Sequence, residues 1–308
     1  MNNILLAPTT FAEHSKVPLE VLNRNNYEYI VNPKGRKLEN NEIIKYAKNV
    51  SGIIAGTESY NEDVLNSLPD LKVISRLGVG LDNIDLKNAN NLGIKIYTTN
   101  TSPASAVVEL VLGLLINVAR NISISDQLLR KNIWDKRMGV SLRGKTLGII
   151  GLGNIGKELV KVSKGFGFKV LAFDVQKDDS FASDHNVLYS DLNTLLSSSD
   201  FISIHLNLTP ETKNYINSER IKLMKSQCIL INTSRGEIID ERALYNSLKS
   251  NKIAGAGLDV FHKEPYNGPL STLDNVIITP HISAYAKEVR IQMEKESVEN
   301  LIRGLNDE

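Results

Sequence analysis

Apolar and polar positions alternate along this chain in blocks of two kinds. Short apolar runs flanked by turn residues occur at 3–7, 52–55, 72–75 and 92–97, and each reads as a buried strand. Between them, residues 15–25 and 38–48 carry apolar side chains at helical spacing. Further on the same rhythm predicts strands at 147–150, 169–173, 201–206, 228–232, 257–261 and 276–279. Helices are predicted at about 155–165, 191–197, 218–224 and 240–250, with 183–189 leading into the second of these. The chain closes on a charged amphipathic helix, 285–303. Strands that alternate with helices predict an α/β fold built on parallel sheets.

Between the two series the pattern changes. A helix is predicted over 103–120, with Ser102 as its N-cap and Pro103 in its first position. It is apolar on several faces, as expected of a helix buried between domains or at a subunit contact. Residues 121–143 follow and hold the only tryptophan, Trp134. No short repeat and no low-complexity linker interrupts the chain.

Composition narrows the class. With 308 residues, 42% of them hydrophobic, the chain can build two ordinary domains. Its net charge of +1 is dispersed, which argues against a nucleic-acid surface and against a polybasic membrane patch. The one cysteine, Cys228, sits in an apolar strand pattern and reads as a small core residue. The opening MNNILLAPTTF is too short and uncharged for a signal peptide. The longest apolar stretch, 107–119, contains Glu109 and is too short to span a bilayer. A cytoplasmic protein is expected, without membrane or nucleic-acid partners.

The stretch with the most explicit chemistry is 147–174, LGIIGLGNIGKELVKVSKGFGFKVLAFD. Gly151, Gly153 and Gly156 stand in the spacing G-x-G-x-x-G between a strand and a helix. The first glycine permits the tight turn, the second lets a pyrophosphate approach the backbone, and the third lets helix pack on strand. The helix N-terminus favours an anion. Asp174, 18 residues beyond Gly156, ends the next strand, where a carboxylate accepts hydrogen bonds from ribose hydroxyls. Strand, turn, helix, strand and acidic residue in this order predict dinucleotide binding. Asp174 favours NAD over NADP, because it repels a 2′-phosphate; Lys177 nearby is the one opposing feature.

Other polar residues stand just past strand ends, where ligands bind in doubly wound sheets. In 75–85, SRLGVGLDNID, the backbone of Gly78 and Gly80 suits a carboxylate-binding nest, or an ordinary turn. Arg76 is either a surface charge or points into the same cleft. Later strands are followed by Arg235, by Glu264 and by His281. Singly, such an arginine reads as a surface charge and such a glutamate as solvated. Together they suit hydride transfer at a hydroxy acid. Arginine grips a carboxylate with two parallel hydrogen bonds. Histidine moves the hydroxyl proton, and a neighbouring carboxylate stabilises imidazolium and fixes the ring. His14, His185 and His262 read as ordinary polar residues, whereas His205 ends a strand and is placed to line the cofactor cleft.

Several stretches resemble the D-isomer-specific 2-hydroxyacid dehydrogenase family: GLGNIG at 151–156, NTSRGEIIDERAL at 232–244, GLDVFHKEP at 257–265 and TPHIS at 279–283. GVGLDNID at 78–85 and VELVLGLL at 108–115 match as well, so the resemblance covers nearly the whole chain. It implies two doubly wound parallel-sheet domains, with a Rossmann nucleotide-binding domain, 100–285, inserted into a flavodoxin-like substrate-binding domain of 1–99 and 286–308. The crossings near Thr99 and Ala284 would form a hinge, with the active site in the cleft. The resemblance implies Arg235 as the substrate-orienting residue, Glu264 as partner of the base and His281 as acid/base. It also implies carboxylate binding by the backbone around Val79 and Gly80. Gly151, Gly153, Asn154, Ile155, Gly156, Asp174, His205, Thr233 and Asp259 are expected around NAD, with no metal. A homodimer through the inserted domain is the default.

For the substrate, SRLGVGLDNID most resembles phosphoglycerate dehydrogenases, in which an arginine at the place of Arg76 faces the substrate phosphate. Oxidation of 3-phosphoglycerate, toward serine biosynthesis, is therefore expected, without the C-terminal regulatory domain of longer relatives. Reduction of glyoxylate or hydroxypyruvate is the alternative. The loop NTSPAS at 100–105 departs from the NTPG of many relatives and weakens any transfer of substrate identity. An NAD-sensing corepressor is the non-enzymatic alternative. It is disfavoured because the chain lacks extra tails and keeps all three chemical residues.

Overall fold

The computed structural model describes residues 3–306. They fall into two compact units: the chain up to Pro103 together with the part from Tyr285 onward, and Ala104–Ala284.

The first unit carries a five-stranded sheet of β1 (Asn3–Leu6), β2 (Glu28–Val31), β3 (Gly52–Ala55), β4 (Val73–Arg76) and β5 (Lys95–Thr98). All pairings are parallel, in the order β2-β1-β3-β4-β5. This is the order of flavodoxin-like sheets. The central strands are covered on both faces, which is why they read as unbroken apolar runs. β2 has no such run, because it is an edge strand whose side chains are mostly exposed. Two further helices, Glu62–Asn66 and Leu86–Asn91, are too short to show a period. Each is started by a capping side chain: Asn61 accepts from the N–H of Val64, and Asp85 from that of Asn88. β5 begins at Lys95 rather than 92, because Leu92 still caps the preceding helix and Gly93 turns the chain at φ +72°. One face of the sheet is closed by the helix Lys287–Asn306. Its Met293, Val298 and Leu301 pack with Ile4, Leu6, Ile54 and Val73.

The second unit carries a seven-stranded sheet of β6 (Thr146–Ile150), β7 (Lys169–Phe173), β8 (Val187–Tyr189), β9 (Phe201–Ile204), β10 (Ile229–Asn232), β11 (Gly255–Leu258) and β12 (Val276–Ile278). The order is β12-β11-β10-β9-β6-β7-β8, again all parallel. Strand order reverses between β6 and β9, and ligands bind beyond the carboxyl ends at such a switch point. The helix Ala104–Arg120 buries Val108, Val111 and Leu115 with Ile149 and Ile231. No single helix among the described residues is long and apolar enough to cross a membrane. Cys228 is buried, and burial pushes its thiol up to about 12, as expected of an inert core residue. β11 ends at Leu258 rather than 261. The Asp259–Phe261 stretch, apolar at Val260 and Phe261, therefore belongs to the loop beyond the strand.

Candidate active site

At the switch point, β6 runs into the glycine turn. Gly151 takes φ +96°, and a Cβ there would meet the carbonyl oxygen of His205 at 2.6 Å. A Cβ on Gly156 would meet the carbonyl oxygen of Gly151 at 2.3 Å, so helix and turn touch backbone to backbone. Gly153 differs: its Cβ position opens onto free space. Gly153 is also the N-cap of the helix Asn154–Ser163, and no side chain caps that helix. Its first N–H groups, those of Asn154 and Ile155, therefore lack a side-chain cap, the arrangement that suits an anion. Asp174 follows β7. One carboxylate oxygen accepts from the N–H of Leu152 at 2.6 Å, and the other from Gln176 at 2.8 Å. The aspartate thus ties its own strand to the glycine turn and keeps lone pairs for ribose hydroxyls. Lys177 is turned onto the Tyr189 ring, with Nζ 5.5 Å from the centroid.

Three strand exits supply the chemistry. Beyond β10, Asn232 accepts from the N–H and hydroxyl of Ser234 and donates to the carbonyl of Arg235, which shapes the turn that carries the arginine. Arg235 is half-buried, and its Nη1 donates to the Ser234 carbonyl at 2.8 Å. A Cβ on Gly236 would meet the Phe261 backbone at 2.0 Å, so this turn lies directly on the loop beyond β11. In that loop Glu264 accepts from the N–H of Phe261 at 3.1 Å with one oxygen. Its other oxygen is 2.8 Å from Nδ1 of His281, with the two side chains 24% and 30% exposed. His281 sits at φ +55°, a left-handed conformation that costs a non-glycine residue energy and persists only when surroundings enforce it.

Asp259 does the enforcing. It is fully buried; one oxygen accepts from the Thr279 hydroxyl at 2.6 Å and from the Ile282 N–H at 2.8 Å. The other accepts from the Ser283 N–H at 2.8 Å, and the Asp259 carbonyl accepts from the His281 N–H at 2.9 Å. Sequence reasoning placed Asp259 only near the cofactor. Its aspartate-to-loop bonds, which hold the histidine turn, carried no signal in the local pattern.

Two buried polar atoms in this region have no hydrogen-bond partner among the described residues: Thr233 Oγ1 beyond β10 and His205 Nδ1 beyond β9. The His205 Nε2 pairs with the Ser203 hydroxyl at 2.9 Å. Burial pushes the His205 ring down to about 4, so it is neutral near neutral pH. An open glycine turn, an uncapped helix and two orphaned polar atoms fit a dinucleotide. Among the described residues no cluster of His, Cys, Asp or Glu fits a metal.

Residues 112–283 match the family model described as D-isomer specific 2-hydroxyacid dehydrogenase, NAD binding domain. The chain belongs to the D-isomer-specific 2-hydroxyacid dehydrogenases. It is accordingly an NAD-dependent oxidoreductase of 2-hydroxy acids. A hydroxypyruvate reductase of Thermotoga maritima is 41% identical over 275 residues, 87% of this chain and 89% of that protein. A D-3-phosphoglycerate dehydrogenase of Methanocaldococcus jannaschii is 40% identical over 276 residues, 87% of this chain but 52% of that protein. Among solved structures, the TT0316 protein from Thermus thermophilus superposes with a TM-score of 0.89 at 32% identity, covering 98% of this chain and 96% of that one.

The remaining candidates lie in the first unit, beyond β4. Val79 is exposed and Gly80 partly so. Arg76 is only 7% exposed. Its Nη1 donates to the carbonyl of Leu77, and a Cβ on Gly78, at φ +140°, would meet that nitrogen at 2.9 Å. The guanidinium is folded back beneath its own turn.

Proposed function

We propose that this protein interconverts a small unphosphorylated 2-keto acid, such as hydroxypyruvate or glyoxylate, and its D-2-hydroxy acid. The observation that carries the reaction is the Glu264–His281 pair at 2.8 Å on the sheet edge that also bears Arg235. NAD, when bound, supplies the hydride to C2 in reduction and accepts it in oxidation. In reduction, His281 gives its Nε2 proton to the ketone oxygen as hydride reaches the carbon; in oxidation it takes the alcohol proton. Glu264 accepts the Nδ1–H in a hydrogen bond, which orients the ring and leaves Nε2 for the substrate. Arg235 grips the substrate carboxylate and orients C2. Thr233, His205 and Asp259 stand with the glycine turn and Asp174 as cofactor contacts, and Val79 and Gly80 as backbone donors to the substrate carboxylate.

The inward fold of Arg76 supports an unphosphorylated substrate, because its charge is already engaged within its own turn. The second reading is 3-phosphoglycerate oxidation, favoured by the SRLGVGLDNID stretch. A homodimer is part of the proposal, since Leu129, Ile133, Trp134 and Met138 leave an exposed apolar surface on the second unit. Turnover of a panel of 2-keto and 2-hydroxy acids, followed by nicotinamide absorbance, tests the reading. Hydroxypyruvate or glyoxylate should have the highest kcat/KM with NADH. A higher kcat/KM for 3-phosphohydroxypyruvate would overturn the substrate assignment, and no turnover with any would overturn the enzyme.

A further inference from the structure

Three side chains of the helix Lys287–Asn306 reach the same piece of chain. Glu296, Asn300 and Arg303 follow one another at i, i+4 and i+7, so they share one helix face. That face grips β5 and the stretch by which the chain leaves the first unit after Pro103. The Arg303 guanidinium stands 5.2 Å from the centroid of the Tyr97 ring. Asn300 Nδ2 donates to the Thr98 carbonyl at 3.0 Å. Glu296 takes the segment beyond. One of its oxygens accepts from the Asn100 N–H at 2.5 Å, and the other from the N–H and the hydroxyl of Thr101 at 2.8 and 2.6 Å. Burial alone would raise the Glu296 carboxyl, but the donors on Thr101 and Asn100 outweigh burial and hold it below the ordinary carboxylate value. Hydrogen bonds to a charged acceptor are the strong ones, so this grip is firm.

The gripped segment holds the 77–80 turn. β4 and β5 pair so that Arg76 stands opposite Thr98, and the next residue, Thr99, donates its N–H to the Gly78 carbonyl at 3.2 Å. Leu77, at the start of the turn, donates to the Ala55 carbonyl at 2.9 Å. The sheet thus fixes where the turn begins, and Thr99 fixes its middle. Gly78, at φ +140°, is the residue with the most freedom to swing, so the bond from Thr99 restrains what glycine itself leaves free.

We infer that Glu296 is a positioning residue for the substrate carboxylate. It anchors 100–101, the anchored segment places the Thr99 N–H, and that N–H sets the Gly78 end of the turn that presents Val79 and Gly80. This rests on the reading above, in which the backbone of Val79 and Gly80 meets the substrate carboxylate. Glu296 acts only through the backbone between them.

The carboxylate is held alike in the ground and transition states, so a displaced turn raises KM and leaves kcat unchanged. A helix that has merely lost stability reduces the amount of active enzyme, which lowers apparent kcat at the same KM. Glu296→Gln keeps the side-chain shape and puts an NH₂ group, a donor, where an acceptor oxygen stood. With the best keto acid of the panel above and saturating NADH, it should raise KM about tenfold, the worth of one hydrogen bond to a charged group, at a kcat near the wild-type value. Thr101→Val removes the hydroxyl donor to the same carboxylate and should raise KM about threefold; it carries the test should Glu296→Gln not fold. Lys295→Gln, on the exposed side of the helix, where Nζ is 3.6 Å from Glu299, should change neither constant. Hydrogen exchange read by mass spectrometry, without substrate, follows the link to the turn: the peptide covering 75–80 should exchange faster in the Glu296 and Thr101 variants. Unchanged exchange in that peptide, or a lowered kcat at unchanged KM, would overturn the inference. Faster exchange with both constants unchanged would instead overturn the reading of the turn as the carboxylate site, so the two failures are told apart.

Discussion

Gly236→Ala should disable the enzyme without touching any residue that bears chemistry. Its new Cβ would stand 2.0 Å from the Phe261 carbonyl carbon and 2.4 Å from both Phe261 Cα and O, whereas ordinary contact begins at 3.4 Å. The two backbones must separate by about 1.4 Å, the difference between 3.4 and 2.0 Å. All three clashing atoms are backbone, so no side chain can swing away. On one side of the contact is the turn that bears Arg235. On the other is the loop in which Glu264 accepts from Phe261 and holds His281. The separation therefore moves Arg235, the proposed carboxylate grip, relative to Glu264 and His281, the proposed proton-transfer pair. A displacement of about 1 Å costs roughly 10²-fold in rate, and overpacking costs about 1–3 kcal/mol in stability. The expected result is kcat/KM lowered about 10²-fold, a lower Tm, and NAD affinity near that of the wild type, because Gly151, Gly156 and Asp174 belong to the turn, helix and strand exit that follow β6. Steady-state kinetics, fluorescence titration with NADH and thermal melts read the three quantities. Gly113→Ala is the control, since a Cβ there meets nothing within 4 Å in the middle of a helix. A Gly236→Ala enzyme with near-normal kcat/KM would refute the reasoning, as would a parallel loss in NADH affinity.

His281→Ala should depress turnover in both directions by roughly 10²–10⁴-fold while NAD binding, measured by titration, persists. Glu264→Gln should do less damage, because it weakens the 2.8 Å hydrogen bond that orients the His281 ring and leaves the imidazole in place; a loss as large as that of His281→Ala would count against the pair. Asp174→Ala should weaken NADH binding and reduce the preference over NADPH, and a wild type faster with NADPH at equal concentration would contradict this role. His205 links stability to pH. With the folded ring pushed down to about 4 and an unfolded value of about 6.5, both states are neutral above the upper value, and between the two only the unfolded chain takes the proton. Stability should therefore fall as pH falls through that window, by up to about 3 kcal/mol, and His205→Gln should flatten the fall in thermal melts.

Much of this protein was legible along the chain because its physics is local. Central strands of a sheet covered on both faces are continuous apolar runs, so β1, β3, β4, β6, β7, β9 and β10 announce themselves. The glycine motif is legible for the same reason: turn, uncapped helix and Asp174 lie within one β-α-β unit. Elements whose stability comes from elsewhere were silent. β2 is an exposed edge strand, and the helices Glu62–Asn66 and Leu86–Asn91 depend on single capping side chains rather than on a period. The limits of β11 were misjudged because Val260 and Phe261 continue an apolar run that the ladder has already left.

At the site the division is the same. Residue types and positions past strand ends named Arg235, Glu264 and His281 as a set. What holds His281 in its left-handed turn is Asp259, 22 residues earlier in the chain, and a pairing at that separation leaves no mark in local spacing. Arg76 stayed open between a surface charge and a group pointing into the cleft, and the structure shows a third state, buried beneath its own turn. The sequence determined the strands and helices of the parallel sheets, the cofactor motif and which candidate side chains stand past strand ends, because periodicity, turn chemistry and strand-end position act over a few residues. The tertiary structure alone decided which side chains are buried and which backbones touch, because burial and parallel pairing bring together groups that the chain keeps far apart.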